Sequence, residues 1–286
     1  MERAIKDLCQ LSDADLFKEL ATGIGHVVAG AVELDAAARK LSKAGNHYPA
    51  RVLRNLAEEE AAKVLILVDA ARCPRARKPE MARTLGYFYS HLAKGIYAEV
   101  VNWRPIDFAE VCRGIENHLV EHYLDGPNDV DWIFPNAITR QREDDLYVGY
   151  VRDDGPDDNG GARYWAVPRS DDPIDSIMGY RTPAAVALTH ALHLAQATTS
   201  EGLGIIAEIW REAHLRPEMR YDDRAKLSLR TLENLNHKGL LSPALNDVWS
   251  EIGNHWPFPL WPLDLAVRKV KKQALRETRR HLNDYF

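Results

Sequence analysis

Apolar positions in the first part of the chain recur at helical spacing. From Ile24 to Leu41 they fall at Val27, Val28, Ala31, Leu34, Ala38 and Leu41, one face of an amphipathic helix. Upstream, Ser12 with Asp15 reads as a capping box that opens a short helix of its own. Gly45 ends the long helix. Pro49 suits the first turn of the next, which runs through Val52, Leu56, Leu65 and Val68 to about Arg72. Cys73-Pro74 and Lys78-Pro79 bracket a break. The spacing then predicts a helix from about Glu80 past Lys94, and another from Asp107 to Leu124, ended by Asp125-Gly126-Pro127. Long helices joined by short connections predict an antiparallel bundle over residues 1–130.

The period changes over residues 131–170. Leu146–Val151 and Ala162–Pro168 are rich in aromatic and β-branched residues, and the string DDGPDDNGG between them is dense in turn formers. This predicts a β-hairpin. Leu146, Val148 and Tyr150 share one strand face, Tyr147 and Val151 the other, so the ribbon is expected to lie packed on the bundle, with Tyr147 and Trp165 covered. Over residues 171–286 helices return. Thr182-Pro183 and Ser242-Pro243 each pair a capping residue with proline at the first helical position. Trp256–Pro262 reads as an apolar extended linker. The last helix is basic, with Arg268, Lys269, Lys271, Lys272, Arg276, Arg279 and Arg280 outward and Leu263, Val267, Val270, Ala274 and Leu282 inward. The expected fold is mostly α: an antiparallel helical bundle with an inserted β-hairpin and additional C-terminal helices, all in one compact unit.

Composition narrows the classes. With 286 residues, 45% hydrophobic and 28% charged, the chain can bury a core and remain soluble. No unbroken apolar run approaches the roughly 20 residues of a membrane span, so no membrane partner is expected. The first residues lack the order of a signal peptide. Cys9, Cys73 and Cys112 show no paired spacing, which fits a reducing cytoplasm. A net charge of -5 argues against a surface built as a whole to hold nucleic acid.

Two strings carry candidate chemistry. In Leu56–Leu67, Glu59 and Glu60 precede Lys63 by four and three residues; in His91–Gly95, His91 precedes Lys94 by three. Residues so spaced are neighbours on a helix. If the two helices pack, carboxylate, ammonium and imidazole converge, as acid–base chemistry or polar recognition requires. The competing readings are plain: Glu60–Lys63 and Asp35–Arg39 as surface pairs, and His91 as the cap of an aromatic patch around Tyr87, Phe88 and Tyr89. His118 and His122 lie four apart but have no third ligand, so no metal is expected. The acidic string DDGPDDNGG is a poor calcium loop because Pro156 breaks the ligand rhythm. Without a glycine-rich phosphate loop, no nucleotide cofactor is expected.

The order of these strings resembles the abortive-infection V (AbiV-type) family of the HEPN superfamily. The resemblance rests on Leu34-Asp35-Ala36, Glu59-Glu60-Ala61-Ala62-Lys63, His91-Leu92-Ala93-Lys94, Leu146-Tyr147-Val148 and Trp165-Ala166-Val167-Pro168. It spans roughly Ile24 to Pro168, and Gly149 stands where that family carries an acidic residue. It implies an HEPN-like bundle and a bacterial anti-phage effector acting on RNA or on translation. It also implies a homodimer and a metal-independent ribonuclease as the candidate activity. The superfamily's catalytic signature is arginine, four to six residues, then histidine. Arg113…His118, Arg230…His237 and Arg276…His281 have that spacing, and Arg113 with His118 lies inside the bundle. The candidate catalytic residues are therefore Arg113, His118, His91 and Lys94, and the candidate polar cluster is Asp35, Glu59, Glu60 and Lys63. The alternative is a non-catalytic module that binds a phage protein and blocks a host process.

Overall fold

The computed structural model describes residues 4–119, 122–125, 131–134, 136–152, 163–168, 180–241 and 246–268. A 3-10 turn, Ile5–Gln10, leads into α1, Asp13–Lys43. The Ser12 hydroxyl accepts from the Asp15 amide at 3.2 Å and donates to the Asp15 carboxylate at 2.7 Å, so Ser12 caps the helix, with Asp15 bonded to its hydroxyl rather than to its amide as in a full capping box. It opens the long helix itself rather than a separate short one. Gly45, at φ +78°, makes the joint to α2, His47–Arg72. Gly23, in the first half of α1, faces Leu67 near the end of α2, so the two run antiparallel. Leu16, Leu20, Ile24, Val28 and Ala31 of α1 meet Ala57, Ala61, Val64 and Val68 of α2 in the core. By length and composition α1 is apolar enough to cross a membrane, a property that the search for unbroken apolar runs does not register.

The expected helix from Glu80 past Lys94 is two helices. α3 spans Lys78–Gly86, a 3-10 turn covers Tyr87–Tyr89, and α4 starts afresh over His91–Glu99. The reason is Ser90, which is extended and whose hydroxyl caps the Ala93 amide at 3.3 Å. α5, Phe108–Leu119, stops five residues short of the expected Leu124. Residues His122–Asp125 instead form β1, antiparallel to β2, Asp131–Phe134, with Tyr123 opposite Ile133 and Leu124 opposite Trp132.

Sequence reading also misses α6, Ala137–Leu146, which Asn136 caps by accepting from the Ile138 amide at 3.0 Å. Leu146 therefore ends a helix rather than opening a strand. The inserted hairpin is β3, Gly149–Arg152, paired with β4, Arg163–Ala166, with Tyr150 opposite Trp165. In the single chain Tyr147 is 59% exposed, Tyr150 59% and Trp165 67%, so the expected cover is not met there. Tyr150 and Trp165 pack mainly on one another, ring centroids 5.0 Å apart. The acidic string between the strands lies outside the described residues.

The C-terminal helices are α7, Ala184–Leu194; α8, Ser200–Glu212; α9, Tyr221–His237; and α10, Asn246–His255. Pro183, not Thr182, occupies the cap position of α7. Thr182 is drawn away because its hydroxyl donates to Asp35 at 3.1 Å. The expected cap at Ser242-Pro243 lies outside the described residues, as does the basic helix from residue 269 onward. Val267, expected inward, is exposed.

Trp256–Pro262 is no linker. Trp256, Phe258 and Leu260 are buried, and the segment is held by α2. One Asp69 oxygen accepts from the Leu260 amide at 2.6 Å, the Trp261 amide at 2.8 Å and the Tyr97 hydroxyl at 2.7 Å. One helical turn on, the Arg72 guanidinium packs against the Trp210 and Trp256 rings, 4.0 and 4.1 Å from their centroids, and donates to the Pro257 carbonyl. Burial pushes the Asp69 carboxyl up and brings the Arg72 guanidinium down to about 10.

Candidate functional site

A cleft of about 330 Å³ opens between α2, α4 and α6. From α2 come Asn55, Glu58 and Glu59; from α4 and the turn after it, His91, Lys94, Glu99 and Asn102; from α6, Ile138, Arg142 and Asp145. Its narrowest crossing is at Gly95, where an added Cβ would collide with Ile138, so glycine lets α6 lie against α4.

Glu59 organises one end. Its carboxylate accepts from Lys94 Nζ at 2.5 Å, from Arg142 Nε at 2.5 Å and from His91 Nδ1 at 2.9 Å. The Lys94 side chain is 6% exposed and Glu59 15%, so the ion pair is largely withdrawn from water, while His91 is 51% exposed. Burial alone would push the Glu59 carboxyl up, but the bonds from Lys94, Arg142 and His91 outweigh it and hold it below the ordinary range. An ionised carboxylate only accepts, so Nδ1 of His91 is the donor in this contact, and in the neutral tautomer that leaves the lone pair on Nε2. One carboxylate against two fixed cations leaves this end of the cleft positive. A carboxylate-anchored imidazole beside two cations can move a proton while charge on a bound phosphate is stabilised.

The other end is acidic. Glu58 is largely buried, and burial first, then the Glu99 charge, pushes its carboxyl up, with Arg54 opposing. Asp145 is held on the wall by Arg51 at 3.3 Å and Asn55 at 3.2 Å.

Of the candidate residues, His91, Lys94 and Glu59 meet. The E-E-x-x-K string divides: Glu60 pairs with Lys63 at 2.5 Å, and Lys63 lies over the Phe88 ring at 5.1 Å, away from the Glu59 hub. Asp35 serves another junction. It accepts from Tyr180 at 2.7 Å, Thr182 at 3.1 Å and Arg39 at 2.9 Å, tying the approach of α7 to α1. Arg113 is exposed on α5. Five residues on, His118 is about 140° around the helix. His118 stacks on Trp103 and lies 3.9 Å from Glu99, at the edge of the cleft. His122 belongs to β1, so helical spacing to His118 does not apply. Among the described residues no group of three or more His, Cys, Asp or Glu side chains is placed to hold a metal.

Sequence reasoning missed Arg142, Glu58, Glu99 and Asp145. Asn136 before a run of helix formers was the available signal for α6, and hence for Arg142. Comparisons with family models, curated proteins and solved structures found no match to this chain.

Proposed function

We propose that this protein is a phage-defence effector of the abortive-infection type, acting in the cytoplasm, that cuts RNA in the Glu59 cleft without a metal. The observation that carries the reading is the His91 ring, held through Nδ1 by the same Glu59 carboxylate that Lys94 and Arg142 contact. The ordered resemblance to the AbiV-type strings supports it, because two of them, E-E-x-x-K and H-x-x-K, contribute to this one hub. In the reaction His91 Nε2 takes the proton of a ribose 2′-hydroxyl, and the oxygen attacks the adjacent phosphorus. Lys94 and Arg142 stabilise the charge that builds on the phosphate oxygens. This reading puts the chemistry at His91 rather than at the Arg113–His118 pair, which does not join the Glu59 hub.

Incubation of the purified chain with total RNA, with and without EDTA, tests this. Cleavage should be indifferent to EDTA and abolished by His91→Gln, while Arg113→Ala leaves it intact. Cleavage lost with Arg113→Ala and retained with His91→Gln would transfer the site to α5. A second reading, a non-catalytic module that binds a phage protein, draws on the exposed Tyr147, Tyr150 and Trp165 of the β3–β4 ribbon. Under that reading RNA stays whole in infected cells, and protection depends on the ribbon rather than on His91. The homodimer belongs to both readings, and sedimentation of the purified chain decides it.

A further inference from the structure

We infer that Glu58 is the second proton-transfer residue of the cleft, the general acid that completes the phosphodiester cleavage begun by His91. The inference rests on the nuclease reading above and adds a residue to it. Glu58 and Glu59 are successive positions on α2, about 100° apart around the axis, so their carboxyls reach the cleft from different directions. Glu59 spends its oxygens on His91, Lys94 and Arg142. Glu58 lines the same cleft, is largely buried, and among the described residues accepts no hydrogen bond. A carboxyl so placed is free to engage a ligand in the cleft.

Its surroundings push its carboxyl above the ordinary carboxylate range. Burial is the main cause, and Glu99 across on α4 adds to it; Arg54 on α2 opposes. Glu59, His91, Lys94, Arg142 and Asp145 are the other ionisable groups on the cleft walls. The two neighbouring glutamates are thus driven in opposite directions, one towards the ionised form that orients a base and one towards the protonated form that an acid needs.

The step balances. The 2′-oxygen bonds to phosphorus as His91 Nε2 takes its proton. The bond from phosphorus to the 5′-oxygen breaks, and that oxygen leaves with the Glu58 proton. The products are a 2′,3′-cyclic phosphate and a 5′-hydroxyl. Glu58, left as a carboxylate, regains a proton from water, and His91 releases its own.

Substrates that differ in leaving group separate an acid from a structural role. The probes are a short RNA, whose alkoxide must be protonated as it departs, and uridine 3′-(4-nitrophenyl phosphate), whose nitrophenolate leaves without a proton. Glu58→Gln should slow RNA cleavage by about a hundredfold or more, the usual contribution of a positioned acid, and slow the ester far less. His91→Gln should lose both substrates alike, because both need the 2′-hydroxyl deprotonated. Equal loss of both substrates in Glu58→Gln, or undiminished RNA cleavage by it, overturns the assignment and leaves the nuclease reading standing. If the unaltered protein cleaves neither probe, the nuclease reading falls and the role of Glu58 falls with it.

Discussion

Lys94 shows what a single side chain stands to lose. Only 6% exposed, it is neutralised by Glu59. Glu59→Gln leaves that ammonium buried against an amide, and removing one partner of such a pair costs about 3–5 kcal/mol. Urea unfolding should show a lower midpoint at unchanged slope. The two adjacent glutamates also set opposite pH dependences. Glu59 titrates below its ordinary 4.5 in the folded chain, so its stabilisation is present above that value and is lost as the pH falls through the folded pKa. Glu58 titrates above 4.5, so its stabilisation is greatest below that value and is lost as the pH rises through the folded pKa. Melting temperatures across mildly acidic pH should show Glu59→Gln flattening the acid limb, and Glu58→Gln reducing the decline on the alkaline side of that range. Neither sign is legible in E-E-x-x-K, because spacing gives neighbours on one helix and says nothing of what the next helix brings.

Helices α1 and α2 were legible as elements because long runs of apolar residues at constant spacing leave one solution. The failures lie where that period carries on across a local stop. Between Glu80 and Lys94 the apolar rhythm never lapses, yet the Ser90 hydroxyl restarts the helix. Ser90→Ala should cost about 1 kcal/mol, as loss of a helix cap does, measured as a fall in unfolding free energy. Helix α6 was hidden for the opposite reason: its polar run Gln141–Asp145 looks like a loop until Asn136 is recognised as a cap. At Trp256–Pro262 three prolines argue against a helix, which is right, but only tertiary contact decides that the segment is buried rather than a linker. Asp69 makes that contact. Asp69→Ala should raise hydrogen exchange at the Leu260 and Trp261 amides, which donate to it, well before exchange rises in α1.

At the scale of the whole molecule the candidate site belongs to no single segment. Glu59, Lys94 and Arg142 come from three helices, and the last joins only because Gly95 lets Ile138 approach. Gly95→Ala should push α6 outward and take Arg142 off Glu59. RNA cleavage should fall while the α1–α2 core keeps its exchange protection, and unchanged cleavage would show that Arg142 is dispensable. The sequence strings could suggest that α2 and α4 share chemistry; nothing in them could reveal which helix closes the third side. The clasp over α2 has an optical consequence. Two of the seven tryptophans, Trp210 and Trp256, pack on one another and on the Arg72 guanidinium in the interior, whereas Trp165 stands in water on the β3–β4 ribbon. Indole emission shifts to longer wavelength in water, so the chain carries separate blue and red reporters. Acrylamide quenches the red one first, and a ligand seated on the ribbon would shield it. Release of the clasp would instead appear as loss of the blue component, so that docking on the surface and opening of the interior can be followed separately in one unlabelled sample.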